Sequence, residues 1–344
     1  MNASWQTFLE SLGAVIQSGR VQHFGDASIE LRYALDQTIV ADLSDLSLIQ
    51  FAGEDAQTYL QGQFSNDLRQ LDGGNSQLSS YCTPKGRMLA NFLLWQNAQN
   101  SYLAQLPASL REPIQKRLSM FVLRSKVKVS DVSDAWVRLG VGGPGAQAVV
   151  TSVLGESPST VHGLVHHASG SILRLPGDLF ELLIAPDQAS AIWRQLTTHA
   201  KAVGTACWDG LMIRAGIPTI LPGTQEAFVP QMVNYELIDG VNFKKGCYPG
   251  QEIVARTQYL GKLKRRMYVG NLTLNSAPLP GDELFSAEMA DQAVGMIVNA
   301  APAPTGGYDV LAVIQIASVE NAIRWKSLDG PTLKLGVLPY TIPA

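Results

Sequence analysis

Cysteine is scarce. The 344 residues hold three, at positions 82, 207 and 247, an odd number far apart in the chain. They form no disulfide framework, which suits a reducing compartment. Long apolar runs are also missing: 46% of residues are hydrophobic, yet none of the runs approaches the ~20 residues of a membrane span. The first residues, MNASWQTFLESLGAVIQ, show neither a basic start nor an apolar stretch of signal-peptide type. Charge is sparse too, at 16% of residues with a formal net charge of -3, which argues against a generally nucleic-acid-binding surface but permits a local basic patch. The expectation is a cytoplasmic protein with no membrane association. Its length suggests two or three domains.

What is present reads as mixed elements. SLIQFAG (47–53) is strand grammar running into a turn. EDAQTYLQGQFSNDL (54–68) places Ala56, Tyr59, Leu60 and Phe64 on one helical face, with Glu54 and Asp55 at the start where they suit the helix dipole. LSSYCTPKGRMLANFLLW (78–95) reads as a hairpin turning at Thr83–Gly86, and SYLAQLP (101–107) as a further strand. The stretch 110–132 begins as an amphipathic helix and ends in an alternating strand at Val127 and Val129. AWVRLGVGG followed by PGAQAVVTSVLG is strand then helix. SILRLPGDLFELLIAP (171–186) is a hairpin around Pro176–Gly177, and 187–200 a helix. Strands and helices do not alternate strictly, so the fold class is α+β rather than a doubly wound sheet. After residue 257 the texture changes to short strand-like runs separated by Pro, Gly, Asn and Asp. This predicts two regions, an α+β body over 1–257 and a small β-barrel over 258–344.

Several motifs are weak. Gly140, Gly142 and Gly145 match G-x-G-x-x-G between a strand and a helix, but Glu156 comes too early for the ribose-binding acid and the βαβ context is missing, so a tight turn is the expected role. His162 and His166 are four apart with Gly163 between them and no third ligand near, which does not make a zinc site. Lys262, Lys264, Arg265 and Arg266 form the densest basic run, read either as a solvated barrel edge or as a contact for phosphate or RNA.

The stretch FKKGCYPGQEIVART (243–257) is different. Lys244 and Lys245 would favour a thiolate at Cys247 if they face it. Gly246 and Gly250 allow close backbone approach or positive φ. Gln251 and Glu252 add an amide and a carboxylate, and Arg256 is spaced to pair with Glu252. The residues alone leave two readings, a reactive thiol or a tight structural turn holding an inert one. No second cysteine is close, so a complete iron–sulfur site on this chain is not supported.

KGCYPGQE with Arg256 resembles the Lys-Gly-Cys-[Tyr/Phe]-x-Gly-Gln-Glu signature of the YgfZ family, folate-binding proteins related to the aminomethyltransferase (T-protein) of the glycine cleavage system. DAQTYLQGQFSND (55–67), YCTPKGRMLANF (81–92) and LMIRAGIP (211–218) resemble further family segments in the family's order, and the likeness runs from about residue 45 to 320. The resemblance implies interleaved α+β subdomains around a pterin-binding cavity, then a C-terminal β-barrel. It implies tetrahydrofolate or a derivative as cofactor, with no metal held by this chain alone. It also implies partnership with iron–sulfur enzymes or cluster-assembly proteins, including a radical enzyme that methylthiolates tRNA. In that reading Cys247 and Lys245 carry the redox or assembly role, supported by Gly246, Tyr248, Gly250, Gln251, Glu252 and Arg256. Weak tRNA contact through Lys262–Arg266 is a further expectation.

One departure stands out. The T-protein carries an aspartate pair after the corresponding glycine, where this chain has Ala90 and Asn91. An asparagine hydrogen-bonds but does not act as a general base, so aminomethyl transfer is disfavoured while folate binding is not. A folate needs a flat apolar slot, polar partners for the ring and cations for its glutamate. The candidates are Asn66, Asn91 and Glu181 for the ring, with Arg124 and Arg214 for the carboxylates.

Overall fold

The computed structural model describes residues 1–289 and 292–343. The helix Ala3–Ser11 starts where the Asn2 side chain accepts from the Ser4 and Trp5 amides, and Ala27–Asp36 starts where Asp26 accepts from Ser28 and Ile29. Between and after them the chain makes a small hairpin, Val15–Gln17 with Arg20–His23, and then the strand Ile39–Asp42.

That strand joins the first of two central sheets. The chain leaves it, builds the whole second sheet, and returns. The second sheet runs Ser76–Cys82, Met88–Ala98, Ser101–Pro107, Leu46–Ala52, Lys128–Asp131, all antiparallel. The first runs Leu164–His167, Gly170–Leu175, Leu179–Ile184, Val137–Gly142, Ile39–Asp42, Lys201–Val203, antiparallel except for its last pair. The α+β body is therefore interleaved, as expected.

A six-stranded barrel follows, from Arg265–Leu272 to Leu333–Leu335, in which an Arg324–Thr332 bridge joins the two edge strands. Leu284, Ile297 and Ile314 fill its interior. One apolar core lies between the central sheets and under the barrel. A second, around Trp5, Phe180 and Trp193, lies behind the first sheet. Each such side chain buried contributes about 1.5–3 kcal/mol.

The predicted helix over 54–68 is shorter than its apolar spacing suggests. It spans Ala56–Gln61 and stops at Gly62, so that Phe64 bridges Tyr81 on the neighbouring hairpin. Ala56, Tyr59, Leu60 and Phe64 are nevertheless all buried on one side.

Candidate functional site

Where the two sheets and the barrel meet they enclose a cavity of about 280 Å³. Leu78, Leu93 and Gln105 face it from the second sheet, Leu175 and Glu181 from the first, and Trp208 and Ile213 from the helix Thr205–Arg214. Pro280 and Asn299 close it from the barrel side. Asn299 holds that junction by donating to the Thr219 carbonyl and accepting from the Thr219 amide, each at 2.8 Å.

The walls are largely apolar, so the few polar groups matter. Glu181 is 3% exposed and accepts from the Gln105 amide. Burial pushes its carboxyl up to about 7, against the pull of that hydrogen bond and of Arg138. The Gln105 carbonyl oxygen beside it is buried without a partner. Also in the lining, Arg20 bridges Asp45 at 2.9 Å and Asp209. Burial holds both carboxyls above their usual range in spite of that guanidinium. Asp209 lines the cavity and its side chain is 36% exposed. Arg138 donates to the carbonyls of Ser133 and Trp136 beneath this wall.

Of the five residues singled out from sequence as folate contacts, Glu181 and Asn91 line the cavity and three do not. The Asn91 amide is already satisfied, donating to Pro218 O at 2.7 Å and accepting from Ile220 N at 2.8 Å. It clamps the segment after the Thr205–Arg214 helix. Asn66 faces a separate cleft and donates to the carbonyls of Leu78 and Asp239. Arg124 is an exposed residue beyond the helix Ala108–Met120, in a shallow surface dip. Arg214 turns away to donate to Ala34 O at 3.1 Å, tying two helices together. The cation that does face the cavity is Arg20, which no sequence motif marks. Asp45, Gln105 and Asp209 are likewise absent from the sequence-based candidates. A lone acid inside the apolar helix TACWDGLMI was the available signal for Asp209.

The two most recognisable loops of the sequence touch. Gly86 ends the Thr83–Gly86 turn with φ +71, and Gly250, at φ +82, starts the helix Gln251–Tyr259. A β-carbon on Gly250 would lie 2.4 Å from Thr83 O and 2.6 Å from the Gly86 Cα. Two glycines are needed for this contact, whereas Gly246 has open space around it and an ordinary φ. Cys247 is exposed while Cys82 and Cys207 are buried. The Lys245 side chain turns into the protein. It is 6% exposed, its ammonium donates to the carbonyls of Gln61 (2.7 Å) and Phe64, and it lies 5.0 Å from the Tyr248 ring centre. Gln61 is the last residue of the Ala56–Gln61 helix, where carbonyls lack an intrahelical donor, and Phe64 lies just beyond it. Burial pushes Lys245 down to about 8. Gln251 reaches back to Lys245 O at 3.4 Å. Among the described residues no ion pair joins Glu252 to Arg256, contrary to the spacing, and both side chains are exposed.

The basic run also divides. Lys262 and Lys264 are exposed, but Arg266 is buried and pairs with Glu236 and the Gln231 carbonyl. The Gly140–Gly145 motif is a packing device: a β-carbon on Gly140 would lie 2.5 Å from the Trp208 ring. Among the described residues no group of three or more His, Cys, Asp or Glu side chains is placed to hold a metal, and no helix is long and apolar enough to cross a membrane.

Comparison with known proteins adds four findings. A family model described as the GCVT N-terminal domain matches residues 18–236. "tRNA-modifying protein YgfZ" of Yersinia enterocolitica is 30% identical over 304 residues, covering 87% of this chain and 92% of that protein. Its counterpart in Colwellia psychrerythraea is 29% identical over 316 residues, covering 90% and 95%. Among solved structures, the glycine cleavage system aminomethyltransferase T from Bartonella henselae superposes with a TM-score of 0.82 at 18% identity, over 98% of this chain and 97% of that one, which is a likeness of fold.

Proposed function

The chain belongs to the YgfZ family, built on the GCVT N-terminal domain, and from that premise we propose that it is a folate-binding accessory protein supporting iron–sulfur enzymes and, through them, tRNA modification. The observation that carries the reading is that the Glu181 carboxylate, held by the Gln105 amide N–H, and the unpartnered Gln105 side-chain oxygen stand side by side in the wall of an apolar cavity. A pterin presents an amino group beside a ring N–H, and two adjacent acceptors in a dry slot match that edge. Leu78, Leu93 and Trp208 supply apolar walls for the ring. Arg20 is the cation on the cavity side for a glutamate carboxylate, in competition with Asp45 and Asp209. A bound tetrahydrofolate would supply one-carbon or redox chemistry, and these side chains would bind and orient it.

The exposed Cys247, on a loop fixed by Gly250 and Lys245, supports a thiol offered to a partner rather than to the cavity. In cells lacking the native protein, Cys247→Ser is expected to lose rescue of tRNA methylthiolation while folate affinity stays unchanged. Full rescue by that variant would remove the thiol from the account. A second reading, tetrahydrofolate-dependent aminomethyl transfer, draws support from Glu181 and Asp209, two carboxyls that burial holds above their usual range. Against it stands Asn91, committed to backbone where the transferase relatives carry an acid. Turnover of formaldehyde and an amine donor with tetrahydrofolate separates the two.

A further inference from the structure

Beside the central cavity lies a second cleft, of about 470 Å³, and Leu78 lines both. Its floor is the edge strand Ser76–Cys82. One wall is the turn carrying His162, and the other is the segment from Asp239 to Lys244 that leads into the thiol loop. Tyr259 stands over it from the end of the Gln251–Tyr259 helix. None of the chemistry above uses this space.

Three features of the cleft are unaccounted for by the fold. The first is unmet hydrogen bonding. Gln77 is 8% exposed, and its amide nitrogen is buried without a partner, as is Nδ1 of His162. A buried donor left unpaired costs about 1–3 kcal/mol. The second is backbone conformation: His162 at φ +63 and Asp239 at φ +60 both occupy the left-handed region on opposite walls, which is sparsely used by residues other than glycine. The third is aromatic surface. Tyr259 is 67% exposed, with its ring edge-on to Phe243 at 5.9 Å.

The chemistry of these groups is specific. Gln77 and a neutral His162 offer both donors and acceptors, Asp239 offers an acceptor, Tyr259 and Phe243 offer ring faces, and Lys244 offers an exposed cation at the rim. Lys262 and Lys264, both exposed, follow Tyr259 by three and five residues. Ring faces beside amide and imidazole groups, with cations arranged along one side, are how proteins hold an unstacked base and its phosphate. A purely anionic ligand fits less well, because Asp239 is in the wall.

We propose that this cleft binds a nucleotide, the base packed on Tyr259 with its polar edge toward Gln77 and His162 and its phosphate toward Lys244, and that the nucleotide belongs to a single-stranded segment of RNA continuing along Lys262 and Lys264. The RNA origin rests on the tRNA-linked reading above; the nucleotide chemistry does not.

The test is fluorescence anisotropy with a labelled single-stranded oligoribonucleotide of about a dozen residues, beside equilibrium dialysis with the four nucleoside monophosphates. The folate titration is run on the same proteins. The expected result is saturable binding of the oligonucleotide by wild type, weakened ~5- to 100-fold in Tyr259→Ala, the range of one lost base–aromatic stack. Gln77→Leu is expected to weaken binding by about tenfold and to raise the melting temperature of the free protein, since it removes an unpaired amide. Lys262→Ala with Lys264→Ala should flatten the salt dependence without abolishing binding. If the monophosphates bind as tightly as the oligonucleotide, with the same Tyr259 dependence, the nucleotide chemistry stands and the RNA origin is overturned. Unchanged binding in both Tyr259→Ala and Gln77→Leu, with loss confined to the lysine pair, would overturn the site. So would absence of binding by any nucleotide at low salt. Folate binding that persists in that case leaves the function proposed above intact, and folate binding that fails while the oligonucleotide binds does the reverse.

Discussion

Glu181 is a buried acid whose titration is displaced, and the displacement has a sign. Its carboxyl, ordinarily at 4.5, is pushed up to about 7 by burial. Between those values the folded chain holds a proton that the unfolded chain has released, so this site's contribution is intact below the window and is lost as pH rises through it. Glu181→Gln keeps an acceptor for Gln105 and removes the ionisation. It should melt higher than wild type at pH 8, by on the order of 2–3 kcal/mol, with the gap closing toward pH 5. Paired thermal melts at the two pH values check this; a gap that does not change with pH would contradict it. The thiols differ as sharply. Burial pushes both Cys82 and Cys207 up to about 12, whereas Cys247 is exposed. A thiol reagent should therefore modify the native wild type at one position and Cys247→Ser at none. Lys245 shows how far residue-level reading reaches. Its closeness to Cys247 is legible in the sequence, but the direction of its side chain is not, because the acceptors that turn it inward belong to Gln61 and Phe64, more than 180 positions away.

At the level of elements, a glycine contact joins the hairpin turn to the thiol loop. Gly250→Ala places a β-carbon against Thr83 and Gly86 at a positive φ, and should destabilise by roughly 1–3 kcal/mol. Hydrogen exchange across 243–260 should rise with it. Gly246→Ala, in open space, should change neither. Asn91→Asp is the matching test of the departure from the transferases. Restoring the acid sets a carboxylate against the Pro218 carbonyl it now donates to, so the variant should lose about 1–3 kcal/mol of stability and gain no aminomethyl transfer. Strand and hairpin elements are largely legible because alternation and turn chemistry are local: Ser101–Pro107 matches its predicted span. Apolar spacing overstates the helix after residue 54, because Phe64 keeps helical spacing from Leu60 although the chain has already turned at Gly62 to pair with Tyr81.

The whole molecule explains why the cavity is only half legible from sequence. Glu181 and Asn91 stand out because each sits inside a recognisable strand. Arg20 lies on the small hairpin, Asp45 in the link between the strands Ile39–Asp42 and Leu46–Ala52, and Asp209 on the helix Thr205–Arg214, so only the tertiary fold makes them neighbours. Arg124 and Arg214 carry the right charge but face solvent and a helix carbonyl. The barrel takes part as well, since Asn299 and Pro280 complete the wall.

A folate held in this cavity would depend on Glu181 and Gln105. The direct measurement is an equilibrium titration of a reduced folate followed by tryptophan fluorescence, Trp208 being in the wall, with wild type, Gln105→Leu and Cys247→Ser side by side. Saturable binding is expected for wild type and Cys247→Ser, weakened about tenfold or more in Gln105→Leu, because a buried acceptor is removed from a hydrogen-bonded ligand. Equal affinity in Gln105→Leu, or no binding by wild type, would contradict it.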